Sequence, residues 1–89
     1  MGNYKNGISP EIERMVKTIN RVGVKKLLTY YDKHKPRTNF RRQLLIVRSI
    51  AQKGYSTTAR EMGISYQAVE HTLRRMYETA LKVEAEDGN

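Results

Sequence analysis

Side chains that can hydrogen-bond the edges of nucleic-acid bases surround Val69 and Leu73, two apolar residues four apart in the chain. An amide such as that of Gln67 can pair with adenine through two hydrogen bonds, and the guanidinium of Arg74 can do so with guanine. Glu70 can accept a hydrogen bond from the amino group of cytosine. The alternative is a polar helix face that contacts only water. This alternative explains each of these residues singly better than it explains all of them together. The predicted base-reading residues are Tyr66, Gln67, Glu70, His71 and Arg74.

Residues 56–76 contain the elements that would hold these side chains in place. Ala59 and Met62 are three apart and share one face of a short helix. Gly63 suits the left-handed backbone that ends a helix and reverses the chain. Ser65 is a favoured N-cap for a second helix, which Val69 and Leu73 turn back onto the first. The pattern predicts a helix-turn-helix, a motif whose second helix enters the major groove of DNA.

The spacing Ala-x-x-Met-Gly-Ile-Ser-x-x-Ala-Val-x-x-x-Leu resembles region four of bacterial sigma factors and the DNA-binding domain of LuxR-type regulators. The resemblance covers about residues 38–78. Those families commonly have Leu and Thr where this chain has Met62 and Ala68. The first replacement keeps the apolar volume, and the second removes a hydroxyl near the phosphates. The resemblance implies an all-α fold, duplex DNA as partner and, because region four also contacts proteins, RNA polymerase or a sigma factor as an alternative partner.

Positive charge is concentrated outside this motif. The net charge is +8, with thirteen Lys or Arg against three acids in residues 1–54 and four against six in residues 55–89. Five of the cations lie in residues 33–42, here called the basic segment, where they repel one another unless an anion lies across them. We interpret the basic segment as a phosphate clamp, in which these cations hold the phosphates of a nucleic acid. The alternative is a basic loop that contacts only water. The predicted phosphate contacts are Lys35, Arg37, Thr38, Arg41, Arg42, Thr57, Thr58, Ser65 and Arg75.

The rest of the chain predicts an all-α bundle of about four to five helices. Ser9 followed by Pro10 is a helix start, and apolar residues then recur at helical spacing. Gly23 either ends this helix or interrupts a longer one. The predicted helices span about 10–21, 24–33, 40–53 and 57–62, and a last one begins at 66. The predicted organisation is a tail at 1–8, one helical domain at 9–84 and an acidic tail at 85–89.

An apolar stripe runs along the last helix beyond the length that the helix-turn-helix needs. The predicted dimer-interface residues on it are Met76, Ala80, Leu81 and Val83. A second copy of the chain would cover them, as in LuxR-like domains, which pair through their final helix. The first helix, through Ile12, Val16 and Ile19, is the alternative cover and would make the stripe ordinary core. We favour the homodimer, since two copies read two half-sites.

Chemistry other than binding finds little support in the sequence. The chain has no cysteine, and His71 and His34 are too far apart in the sequence for a metal motif. No nucleophile elbow, phosphate-cradling glycine loop or zinc motif occurs, so neither an enzyme nor a cofactor is predicted. No signal peptide or membrane-spanning run is present, which predicts a cytoplasmic protein. The predicted function is a transcriptional regulator; the alternatives are an adaptor on RNA polymerase or a sigma factor, and a recognition subunit of a recombination or packaging machine.

Overall fold

Four helices make up the part of the chain that the computed structural model describes, residues 8–87. They are α1 (Pro10–Val22), α2 (Val24–His34), α3 (Phe40–Met62) and α4 (Tyr66–Asp87). Residues 8–87 contain no strand, which confirms the all-α class. Most of the predicted tail at 1–8, and residues 88 and 89 of the acidic tail, lie outside the described residues. Residues 85–87 belong to α4, and Ile8 packs against the core, so the domain extends slightly beyond the predicted 9–84.

α1 begins at a side-chain cap and ends at a glycine. The hydroxyl of Ser9 accepts a hydrogen bond from the Ile12 backbone N–H at 3.2 Å, and Pro10 begins the helix, as predicted. Gly23 then has φ +94° and ψ +152°, which is not helical. Its N–H still donates to the carbonyl of Ile19, at 3.0 Å, and so closes the last turn of α1. The two segments are therefore separate helices rather than one helix with an internal glycine.

α3 consists of two arms that meet at Gly54. This residue has φ +86° and ψ +178°, a conformation that is open essentially to glycine alone. In a straight helix Ser49 and Thr58 would be about 13.5 Å apart along the axis, yet their hydroxyl oxygens lie 2.8 Å apart. The second arm therefore folds back on the first. The arms, 40–53 and 55–62, match the two predicted helices, except that the second begins before Thr57.

α4 is the helix against which the other three pack. The guanidinium of Arg21 donates two hydrogen bonds to the Glu84 carboxylate, at 2.6 and 2.9 Å, and this joins the end of α1 to the end of α4. Lys26, near the start of α2, pairs with Asp87 at the end of α4. Lys35, which follows α2, reaches Thr79 of α4, eight residues before Asp87. α2 therefore runs antiparallel to the C-terminal half of α4.

The apolar stripe on α4 is covered by the chain itself. Met76 and Ala80 are fully buried and Val83 is nearly so. They join one hydrophobic core with residues of α1, α2 and α3, including Ile12, Met15 and Ile19 of α1. This corrects the predicted dimer interface, because α1 occupies the place assigned to a second copy and the stripe is ordinary core. Of the four predicted residues only Leu81, 41% exposed, remains at the surface.

Candidate nucleic-acid interface

The start of α4 is held by a tight turn and a side-chain cap. Gly63 has φ +69° and ψ +33°, the left-handed conformation predicted for it. The Ile64 N–H donates to the carbonyl of Ala59 at 3.1 Å and closes the preceding arm. The hydroxyl of Ser65 accepts a hydrogen bond from the Ala68 N–H at 3.0 Å, which is the predicted N-cap. Local sequence therefore fixes the angle at which α4 leaves the turn.

One side of α4 is free of the core and presents polar side chains. Val69 and Leu73 are fully buried, whereas Gln67, His71 and Arg74 are exposed. These three are spaced four and three residues apart, so they form one stripe on the opposite side of the helix. We call Gln67, His71 and Arg74 the reading face. It offers an amide, an imidazole and a guanidinium to a ligand that lies along the helix.

The other two predicted base-reading residues lie on a flank of α4. Tyr66 is 48% exposed, and its ring packs edge-on against Tyr55 with 5.4 Å between ring centroids. Glu70 is half-buried. Burial raises the pKa of Tyr55 to about 12, and the carboxylates of Glu11 and Glu70 act in the same direction. Because Glu70 places a carboxylate on this flank, the flank is a poor place for a phosphate.

The loop of the basic segment lies between two aromatic residues of the core, Tyr31 and Phe40. The rings of Tyr31 in α2 and Phe40 in α3 pack at 4.9 Å, and the Asn39 side chain accepts a hydrogen bond from the Arg42 N–H at 3.1 Å. Arg37 in this loop is exposed, and so are Arg41 and Arg42 in the first turn of α3. An anion can therefore reach all three guanidinium groups.

Lys35 differs from the arginines. Its ammonium lies 3.5 Å from the Thr79 hydroxyl on α4 and 5.6 Å from the centre of the Tyr31 ring, and the residue is half-buried. Burial raises the pKa of Tyr31. Arg75 precedes Thr79 by four residues, about one turn of α4. Lys35 thus fastens the basic segment to α4 next to Arg75.

The distance between Arg75 and the reading face follows from helix geometry. Arg75 is eight residues beyond Gln67, about 12 Å along the axis of α4. That length is comparable with the width of the major groove of B-DNA, about 12 Å. A backbone contact at Arg75 and a base contact at Gln67 are therefore compatible with one duplex.

One predicted phosphate contact is wrong in this structure. Thr58 is fully buried, and its hydroxyl is hydrogen-bonded to Ser49 between the two arms of α3. Thr38 and Thr57 are half-buried, and Ser65 is exposed with its oxygen engaged as the cap. No pattern in the sequence predicted the position of Tyr55, because its contact with Tyr66 crosses the turn and is formed only in the folded chain.

Other kinds of site are not indicated in the described part of the chain. Residues 8–87 contain no group of three His, Cys, Asp or Glu placed to hold a metal ion. None of their helices combines the length and apolar character needed to cross a membrane. Comparison of the chain with family models, with curated proteins and with solved structures gives no match. The resemblance to sigma region four and LuxR-type domains therefore depends on the sequence pattern of residues 59–73 alone.

Proposed function

We propose that this protein binds duplex DNA in a sequence-specific manner, with the N-terminal half of α4 in the major groove, and that it regulates transcription. One observation carries the proposal. A capped helix that follows a left-handed turn exposes Gln67, His71 and Arg74 on the side opposite its buried Val69–Leu73 face. Side chains at the start of such a helix are the ones that reach base edges in helix-turn-helix proteins. The role in transcription is inferred from the resemblance of the turn to sigma region four and LuxR-type domains.

Base reading and backbone attraction belong to different parts of the proposed interface. Gln67 and Arg74 have the donor and acceptor patterns for adenine and guanine, respectively. Arg37, Arg41 and Arg42 supply exposed positive charge, which gives affinity without sequence preference. We propose that the DNA backbone passes Arg75 and the basic segment and avoids the flank of α4 that carries Glu70.

A selection experiment tests this proposal. Duplexes retained by the protein from a random pool should converge on a short motif, and gel shifts should show tighter binding to that motif than to scrambled duplex. Specific binding commonly exceeds non-specific binding by about 10³-fold or more at physiological salt. Retention of duplexes without any common motif would reduce the protein to a non-specific DNA binder. No retention at low salt would refute DNA binding altogether.

The homodimer remains a proposal, now with Leu81 as the predicted residue available to it. One helix-turn-helix reads few base pairs, and pairing would add a second half-site. Sedimentation equilibrium with and without the selected duplex measures this directly. A single chain per duplex under all conditions would refute the homodimer and leave the DNA-binding proposal intact.

A further inference from the structure

The outward side of the first arm of α3 is basic and carries an exposed leucine. Leu45 is 55% exposed, and Arg41 and Arg48 lie four residues before it and three after it, on the same stripe of the helix. The arm, residues 40–53, contains four cations and no acid. Lys53 is paired with Glu61 of the second arm at 2.7 Å. Within residues 8–87 neither Arg41 nor Arg48 makes an ion pair.

An apolar groove lies beside this stripe, between α1 and the first arm of α3. Its volume is about 290 Å³. Its apolar walls include Val16 of α1 and Leu44 and Ala51 of α3, and Arg48 and Gln52 also line it. The groove thus combines an apolar lining with a cation, next to a leucine that the fold leaves in water.

This surface and the reading face point in different directions. The inner side of the first arm, with Val47 and Ile50, is buried in the core that α3 shares with α4. The reading face lies on the side of α4 opposite that core. A duplex on the reading face would therefore leave the groove uncovered, although the phosphate contact proposed for Arg41 lies one turn before Leu45 on the same stripe.

We propose that the Leu45–Arg48 surface docks an acidic segment of another protein whose apolar side chains enter the groove. Arginine is enriched among the residues that dominate protein interfaces, and carboxylates would complement Arg48. A second copy of the same surface is a poor occupant, because it would place arginines opposite arginines. The inference goes beyond DNA binding and does not depend on it.

A designed peptide tests the proposal on the full chain without DNA. The probe is a fluorescein-labelled amphipathic helical peptide with Leu on one face and Glu on the other, and its binding is measured by fluorescence anisotropy. Leu45→Ser and Arg48→Glu should each weaken binding about tenfold, as loss of an interface anchor does. The matched controls are Leu28→Ser, at a leucine that is 43% exposed on α2, and Lys25→Glu, an exposed cation on the same helix. Each control should change the affinity for the peptide by no more than about twofold, because neither residue lies on the proposed surface and an exposed charge contributes little.

Three outcomes would overturn the proposal. These outcomes are failure of the peptide to saturate the protein, equal weakening of peptide binding by Lys25→Glu and Arg48→Glu, and displacement of the peptide by the selected duplex. Circular dichroism with thermal unfolding confirms that each variant is folded, and Leu45→Ala provides a milder change at the same position. If the unmodified protein binds the peptide but no duplex, the proposed function is refuted and this inference stands.

Discussion

Replacing Arg37, Arg41 and Arg42 together with Ala should weaken binding to every duplex and flatten its dependence on salt. Each phosphate neutralised in B-DNA contributes about 0.9 to the slope of log affinity against log salt. The variant removes at most three contacts, one for each exposed arginine of the segment, and leaves the exposed Lys33 and the Thr79-directed Lys35 in place. The slope should therefore fall by up to about 2.7, with the preference among sequences retained.

Fluorescence anisotropy of a labelled duplex, measured from roughly 50 to 200 mM salt, gives this slope. The control is the triple variant Arg14→Ala, Lys17→Ala, Lys25→Ala, which removes the same charge from exposed positions on α1 and α2. If the control flattens the slope equally, net charge rather than the basic segment attracts DNA. An unchanged slope in the arginine variant would refute the phosphate clamp and leave the segment as a solvated loop.

Three further changes test other parts of the argument. Gln67→Ala should cost about 1–3 kcal/mol on the best site and relax preference at one base pair, as selection from a duplex pool would show; an equal loss on all sequences would make Gln67 a backbone contact. Met76→Ala should reduce the free energy of unfolding by about 2–5 kcal/mol, with Leu81→Ala as the exposed control. Urea unfolding measures this change. If the urea concentration at the midpoint rises with protein concentration, Met76 lies in a dimer interface instead. Gly54→Ala should cost about 1–3 kcal/mol in the same assay, and a neutral result would contradict the hinge between the two arms.

Local sequence determined where the helices begin and end. Ser9, Asn39 and Ser65 each accept the backbone hydrogen bond that caps a helix start. Gly23 and Gly63 separate successive helices at positive φ. These features could be predicted because a cap or a left-handed turn depends on residues within about four positions of one another. The exposed Gln67–His71–Arg74 stripe followed for the same reason, from helical spacing alone.

The tertiary structure decided which of the predicted residues are accessible. Met76 and Ala80 lie in the core that α4 shares with α1, although their spacing fits a dimer stripe equally well. Thr58 is buried against Ser49 because the chain bends at Gly54, and Lys35 is drawn to Thr79 because α2 packs along α4. A periodic pattern gives the apolar side of a helix but not the identity of the surface that covers it, since that depends on contacts between residues far apart in the chain.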